Sequence, residues 1–207
     1  MNESQVRKTM IEYCRRLYDK GYMPGIDGNV SMRVDEKTAI VTPSGVCKGD
    51  VTEDQLVLMS LSGEVLKGDM KPTTEAPMHL AAFLYNSSAG AVIHAHSPNA
   101  VAYSMARRPL DTRCAPFAYE HLGTVGLVPY ITPGTVEFHQ AVAQQIKDGR
   151  MAMLLCSHGA MVLGTDMHEA FVTLDLVEAY SEMMIKAALI GGAYVLSDAE
   201  LSQIVSG

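Results

Sequence analysis

Apolar residues near the N-terminus recur at steps of three and four positions. Val6, Met10, Cys14 and Leu17 follow this spacing, which would place them on one face of an amphipathic helix. We therefore predict a helix over about 4–20. A loop rich in glycine and proline follows it.

Short segments that alternate apolar and polar residues come next, and residues typical of turns separate them. The first two such segments cover about 29–34 and 38–42, and the next two cover 57–61 and 64–66. Each pair flanks a short turn, which predicts two β-hairpins. Consecutive hairpins favour a largely antiparallel sheet.

The rest of the chain mixes apolar strand patterns with helical periodicity. Apolar runs predict strands at about 91–97, 151–156 and 161–163. Periodicity and cap residues predict helices over 75–84, 99–106, 136–147 and 167–190, with a short one after Ser197-Asp198. The stretch up to Gly134 is rich in proline and glycine and gives no clear strand. The whole pattern predicts one α/β domain spanning 1–207.

The bulk composition narrows the possible functions. The 207 residues are 48% hydrophobic and 19% charged, which is typical of a packed globular protein. The chain has 16 basic and 23 acidic residues and a net charge of −7, which argues against nonspecific nucleic-acid binding.

The N-terminus and the cysteines bear on the cellular compartment. Charged residues interrupt the N-terminal segment from the start, and the most apolar helix is too short to span a bilayer. The four cysteines are far apart and form no CxxC pair, which fits free thiols in a reducing compartment. We therefore predict a cytoplasmic protein that does not bind membranes.

Two histidines stand two residues apart at the end of one predicted strand. His94 and His96 would point to the same face of that strand. Two imidazoles on one face could form half of a site for zinc or another transition metal, although the pair could equally be two unrelated histidines. His158 ends another predicted strand and is the natural third ligand, unless it is a hydrogen-bonded core residue.

The remaining histidines have weaker claims to a functional role. His79 lies one helical turn after Glu75, and His121, His139 and His168 fall in loops or amphipathic helices. We predict that His139 and His168 are surface residues.

Glu75 is the carboxylate best placed for catalysis. It begins a predicted helix with a threonine at the cap and lies shortly before the histidine strand. A carboxylate beside a metal ion could move a proton next to a carbonyl group. The alternative role is an ordinary glutamate that stabilises the start of a helix.

Three turns of small polar residues could bind a phosphate group. They are Gly28-Asn29, Ser44-Gly45 and Thr73-Thr74, which offer hydroxyls, an amide and unhindered backbone N–H groups. Each of them alone is most simply a structural turn.

Together these motifs resemble the class II aldolase family in their order and spacing. The resemblance covers nearly the whole chain and rests on Gly28-Asn29-Val30-Ser31, Thr42-Pro43-Ser44-Gly45, Lys71-Pro72-Thr73-Thr74-Glu75, Met78-His79-Leu80, Val92-Ile93-His94-Ala95-His96-Ser97, Pro129-Tyr130, Pro133-Gly134-Thr135 and Ser157-His158-Gly159. It implies a three-layer αβα fold with a central, mainly antiparallel sheet. It also implies a homotetramer with active sites at the subunit interfaces.

The resemblance further implies a site and a reaction. A zinc ion would be held by His94, His96, His158 and, before substrate binds, Glu75. The enzyme would cleave a ketose 1-phosphate, such as fuculose 1-phosphate or a related deoxy-ketose phosphate, into dihydroxyacetone phosphate and an aldehyde through a metal-stabilised enediolate. Glu75 would be the acid/base, and Tyr119 matches a family tyrosine that donates a proton from a neighbouring subunit. The phosphate would be held by Asn29, Ser44, Gly45, Thr73 and Thr74, with Gly28 beside them.

Two features of the chain differ from the family pattern. Family members often carry serines where this chain has Thr73-Thr74, a change that keeps the hydroxyls and adds methyl groups. The sequence ends at Gly207, so we expect the longer C-terminal tail that carries a tyrosine in some members to be absent.

Other activities on the same scaffold remain open. Ribulose-phosphate 4-epimerases carry aspartate at the position of Glu75, whereas methylthioribulose-phosphate dehydratases retain glutamate. A phosphotetronate decarboxylase is a further candidate, although the corresponding position is typically not acidic there. Adducin-like members bind proteins without catalysis, and loss of the metal ligands would mark such a module.

Overall fold

The computed structural model describes residues 1–204, and the last three residues, including Gly207, lie outside this part. The helices are α1 (Glu3–Asp19), α2 (Ala76–Tyr85), α3 (Pro98–Met105), α4 (Pro116–Leu122), α5 (Val136–Lys147), α6 (Met167–Leu189) and α7 (Asp198–Ile204). The strands are β1 (Asn29–Arg33), β2 (Thr38–Val41), β3 (Val57–Ser60), β4 (Val65–Lys67), β5 (Ala91–Ala95), β6 (Gly126–Val128), β7 (Ala152–Leu155) and β8 (Gly159–Gly164).

These strands form a sheet in the order β4-β3-β2-β1-β5-β8-β7-β6. All neighbouring strands pair antiparallel except β6 and β7, which are parallel. The prediction of a mainly antiparallel sheet is confirmed. The order places β5, the histidine strand, between β1 and β8, so side chains from three strands can meet at its end.

Helices cover both faces of the sheet because the strand residues alternate between two cores. Ile93 packs into the core beneath α1, α3, α4 and α6, whereas its neighbour Val92 packs into the core beneath α2 and α5. Both side chains are fully buried. The predicted three-layer αβα architecture is therefore confirmed.

The predicted elements match the structure except in two places. The histidine strand ends at Ala95 and not at Ser97, because the chain turns into α3 at Pro98. The proline- and glycine-rich stretch before Gly134 contains α4 and β6, which are short and interrupted by turns. Among residues 1–204, no helix combines the length and apolar character needed to cross a membrane.

Candidate active site

His94 and His96 lie at the end of β5 and face the side of the sheet covered by α2. His94 is fully buried and pairs with Asn29 across the β1–β5 ladder. The Nε2 atoms of His94 and His96 are 3.1 Å apart. His96 is partly exposed, and its Nδ1 atom lies 3.5 Å from Oδ2 of Asp27. The predicted convergence of the two imidazoles is therefore present.

His158 reaches the same point from the turn between β7 and β8. Ser157 has a φ of 57°, a left-handed conformation that reverses the chain and leaves His158 beside the β5 end. The ring centroids of the three histidines lie 4.7–5.1 Å apart. A Cβ atom at Gly159 would lie 2.6 Å from the Ala95 carbonyl oxygen and 2.9 Å from the His96 ring, so this close approach requires glycine.

Glu75 supplies a carboxylate to the histidine cluster. Its Oε2 atom lies 3.3 Å from Nε2 of His94, and its Oε1 atom lies 3.4 Å from Nε2 of His158. The residue occupies the N-cap position of α2, and its side chain makes no capping hydrogen bond. The prediction of a threonine at this cap was wrong, because Glu75 itself holds the position and directs its carboxylate to the cluster.

The donor set fits a divalent transition metal. The ligand atoms of His94, His96 and His158 all lie within 4.8 Å of one another. Ligands at about 2.0–2.1 Å from a tetrahedral zinc ion are separated by about 3.3 Å, close to the 3.1–3.4 Å found among the histidines and Glu75. His94 also has its Nδ1 atom 2.9 Å from the Ala160 carbonyl oxygen, a bond that fixes its proton on Nδ1 and leaves Nε2 free to bind a metal.

The electrostatic environment favours the neutral form of His94 and His158. Burial lowers the pKa of His94 well below its usual value, and the neighbouring His158 and His96 lower it further. Burial also lowers the pKa of His158, although Glu75 opposes this effect. Neutral nitrogens bind a metal without first losing a proton, so the cluster is prepared for a metal near neutral pH.

The predicted phosphate turns meet beside the histidines. They line one cavity of about 300 Å³, which His96, His158 and Glu75 also line. Backbone contacts hold two of the turns together, because Ser44 N donates to Lys71 O at 2.9 Å and Thr73 N donates to Thr42 O at 3.1 Å. The turn residues that line the cavity are Gly28, Asn29, Ser44, Gly45, Thr73 and Thr74.

Gly28 and Asn29 join this cavity to the histidine cluster. Gly28 has a φ of 72°, and a Cβ atom there would lie 2.7 Å from Met23 Cγ and 3.0 Å from the His94 carbonyl oxygen. Only glycine therefore allows the chain to pass this close to β5. Asn29 then donates a hydrogen bond from Nδ2 to Oε2 of Glu75 at 2.7 Å.

Lys48 is a cavity residue that the sequence reasoning missed. Its side chain is buried, and Nζ donates to the carbonyl oxygens of Ile26 at 2.9 Å and Val46 at 2.8 Å. Burial lowers the pKa of this ammonium group. An ammonium has three N–H donors, so these two bonds leave one for another partner. Lys48 follows the predicted phosphate turn Ser44-Gly45 by three residues, and this position was the sequence feature that could have suggested its place in the cavity.

Comparison with known proteins identifies the family of this chain. Residues 8–185 match the family model described as Class II Aldolase and Adducin N-terminal domain. The chain is a class II aldolase family member. The family is metal-dependent and its members act on sugar phosphates, which agrees with the three-histidine cluster.

Individual relatives of this chain carry two different activities in their names. The L-fuculose phosphate aldolase of Methanococcus maripaludis is 33% identical over 84% of this chain and 92% of its own length. The 3-oxo-tetronate 4-phosphate decarboxylase of Haemophilus influenzae is 31% identical over 82% of each chain. The solved structure of YgbL from Klebsiella pneumoniae is 29% identical, covers 99% of both chains and has a TM-score of 0.90.

Tyr119 does not lie with the other predicted site residues. It lines a separate cavity with Leu110, Asp111 and Arg113, among others. Within residues 1–204 of a single chain, Tyr119 is not among the residues that line the histidine cavity. Its role as a donor to a neighbouring subunit stays a prediction.

The remaining histidines occupy three different environments. His121 and His168 are exposed, and Nδ1 of His168 lies 3.2 Å from the Tyr13 hydroxyl. His139 is half-buried, so its prediction as a surface residue was wrong: its ring packs on Phe138 and burial lowers its pKa. His79 is fully buried beneath the site.

The burial of His79 predicts a pH-dependent loss of stability. Burial lowers the pKa of this imidazole from 6.5 to about 3. Below about pH 6.5 the unfolded chain takes up a proton that the folded chain excludes. The free energy of unfolding should therefore fall as the pH drops from about 6.5 towards 3, by up to about 1.4 kcal/mol per pH unit from this group.

Urea unfolding of the metal-free protein between about pH 4 and pH 7 measures this slope. A His79→Gln variant keeps a polar side chain but cannot titrate, so its unfolding free energy should fall less steeply with acid. Equal slopes for the two proteins would contradict the assignment, because all other titrating groups are shared.

Proposed function

We propose that this class II aldolase is a metal-dependent lyase that cleaves a ketose 1-phosphate, such as fuculose 1-phosphate, into dihydroxyacetone phosphate and an aldehyde. The observation that carries the proposal is the position of Glu75. Its two carboxylate oxygens lie 3.3 and 3.4 Å from His94 and His158, at the wall of the cavity formed by the three polar turns. Glu75 would therefore transfer protons next to both the histidines that would bind the metal and the cavity that would bind the phosphate.

The histidine cluster and Glu75 would hold the metal, for which zinc suits the three nitrogen donors best. A bound zinc ion would supply Lewis-acid chemistry to the oxygens next to the breaking bond. During the reaction the three histidines alone would hold such an ion, which would leave the Glu75 carboxylate available to move a proton. The hydrogen bond from Asn29 to Oε2 gives this carboxylate a fixed partner.

Side chains of this protein would carry out the other steps of the reaction. The polar turns would bind the phosphate and so place the carbon chain next to Glu75. During cleavage the C3–C4 bond breaks, and the C4 hydroxyl would give its proton to the Glu75 carboxylate as it becomes the aldehyde carbonyl. Glu75 would then deliver a proton to C3, which completes dihydroxyacetone phosphate.

A decarboxylase acting on a phosphorylated oxo-acid is the second candidate function. The observation that favours it is the 31% identity to the Haemophilus influenzae decarboxylase, close to the 33% identity to the aldolase. Both reactions break a carbon–carbon bond and leave negative charge beside a carbonyl group, so the same cluster and phosphate cavity would serve either.

We also propose a cytoplasmic homotetramer with active sites at subunit interfaces. The four cysteines are all free, which supports a reducing compartment. The placement of Tyr119 outside its own histidine cavity supports a contribution to the site of a neighbouring subunit.

A substrate panel tests the proposed function. The metal-loaded protein is incubated with fuculose, rhamnulose and deoxyribulose 1-phosphates, and dihydroxyacetone phosphate is detected by coupling its release to a reductase. We expect turnover of at least one ketose phosphate. The same ketose without phosphate should have a kcat/KM lower by at least about 10²-fold, because the phosphate contributes binding energy remote from the reacting carbons.

Two parallel assays separate the alternatives. Carbon dioxide release from 3-oxo-tetronate 4-phosphate, with no dihydroxyacetone phosphate from the panel, would replace the aldolase proposal with the decarboxylase. Purified protein without stoichiometric divalent metal and with properties unchanged by chelator would contradict both enzymes. That last outcome would favour an adducin-like binding module.

A further inference from the structure

His79 lies buried between α2 and the sheet, in a position that the proposed reaction does not use. It extends from α2 towards β1, where Ser31 and Asn29 face the same side of the strand. Its Nδ1 atom is 2.7 Å from the Ser31 hydroxyl, and its Nε2 atom is 2.5 Å from Oδ1 of Asn29. His79 and Ser31 are fully buried, and Asn29 is 5% exposed, so water does not satisfy these groups.

The direction of each hydrogen bond follows from the carboxylate at the end of the series. An ionised Glu75 can only accept, so the Asn29 amide nitrogen must face it. The Asn29 oxygen then faces His79, which must donate from Nε2. A neutral imidazole has a single N–H, so Nδ1 accepts from the Ser31 hydroxyl. Ser31, His79, Asn29 and Glu75 thus form one series with all bonds in the same direction.

The proton on His79 fixes the Asn29 side chain from the end opposite Glu75. Burial holds the pKa of His79 at about 3, so the ring remains neutral at physiological pH. With the proton on Nε2, the amide nitrogen of Asn29 is directed to the carboxylate. Without that donor the Asn29 oxygen would lose its partner, and the carboxamide would be held only by its bond to Glu75. Asn29 also lines the cavity formed by the three polar turns. The direction of its side chain therefore affects this cavity as well as Glu75.

We propose that His79 is a positioning residue, which holds the Asn29 carboxamide in the direction that orients the Glu75 carboxylate. His79 does not touch substrate and acts only through Asn29. The consequence for catalysis rests on the proposed function, whereas the hydrogen-bond direction can be tested without it.

A measurement on the unmodified protein tests the direction itself. Nitrogen-15 NMR of the metal-free protein near pH 7 should show His79 with its proton on Nε2 and a bare Nδ1. The side-chain NH₂ group of Asn29, identified by its loss in Asn29→Ala, should show slow hydrogen exchange because it is bonded to Glu75. A His79 ring with its proton on Nδ1 would overturn the proposal.

Three variants test the effect on turnover of the metal-loaded enzyme. His79→Leu removes the donor, and we expect kcat to fall by about 10-fold or more with unchanged metal content, because a small displacement of a catalytic group has a large effect. His79→Gln keeps an N–H donor that can reach Asn29 and should restore most of the rate. Phe83→Leu changes a side chain that is 2% exposed one turn further along α2 and should leave kcat within about twofold.

The outcomes separate positioning from simple stability. Equal losses of kcat in all three variants would assign His79 a structural role only, as would a full rate in His79→Leu. If His79→Leu does not fold, His79→Met replaces it, since methionine fills irregular buried space more readily. If the unmodified enzyme cleaves no ketose phosphate, the proposed function fails, while the Asn29 NH₂ signal of the same variants still decides the positioning proposal. Its slow exchange should be lost with leucine and kept with glutamine, and the opposite pattern would overturn the proposal.

Discussion

Glu75→Gln is expected to retain the metal and lose turnover by about 10²-fold or more. Glutamine keeps the length of the side chain but cannot accept and return a proton at neutral pH. The three histidines would still supply the proposed nitrogen ligands, so bound metal measured by mass spectrometry should stay stoichiometric. The rate of dihydroxyacetone phosphate release should fall at saturating substrate, because proton transfer and not binding is removed.

Glu178→Gln provides a matched control for this variant. Glu178 is a buried carboxylate, at 6% exposure, that accepts hydrogen bonds from the N-terminal residues Asn99 and Ala100 of α3. Its replacement should lower the free energy of unfolding and leave kcat nearly unchanged. Full activity in Glu75→Gln would remove this residue from the mechanism.

Replacement of His158 by alanine should have the largest effect, because it removes a proposed metal ligand. Loss of a group that merely orients a ligand costs about 10- to 100-fold in metal affinity, so loss of the ligand itself should cost more. We expect less than stoichiometric metal after gel filtration and a fall in kcat/KM of about 10³-fold or more, equivalent to about 4 kcal/mol.

His168→Ala is the control for this loss. His168 is exposed and, unlike His158, is not part of the described cluster of possible metal ligands. This variant should keep both metal and activity. Stoichiometric metal together with unchanged activity in His158→Ala would refute the assignment of the cluster as the metal centre.

Local sequence patterns predicted most of the fold. The helix α5 was predicted with the bounds it has, Val136–Lys147, because its apolar positions have a clear helical period and Thr135 caps it. The stretch that contains α4 and β6 gave no such signal. These elements have seven and three residues, which is too short for a period to emerge, and their positions depend on packing against α6 and β7.

The sequence predicted the candidate site only in part, because residues that are distant in the chain meet there. The spacing of His94 and His96 could be read from strand alternation. Their places at the end of a strand and the start of a helix made His158 and Glu75 candidates, but only the family resemblance joined them to the pair in one site, since they are distant from it in the chain. From the sequence, His79 had only a weak claim to a functional role, because the residues around it in an apolar helix do not show which side chains it will contact. Its partners Ser31 and Asn29 lie about fifty positions earlier, and only the packing of α2 on β1 brings them together.

The two backbone hydrogen bonds between the Ser44 and Thr73 turns have a consequence for divergence within the family. They involve main-chain atoms of Ser44, Lys71, Thr42 and Thr73, so the shape of the cavity wall does not depend on which side chains these positions carry. Exchanges such as serine for threonine can therefore accumulate there without moving the anion relative to the histidines. Mutational drift in this wall would tune how tightly a phosphate is held, while a change of chemistry would have to arise at Glu75 or at the histidine cluster.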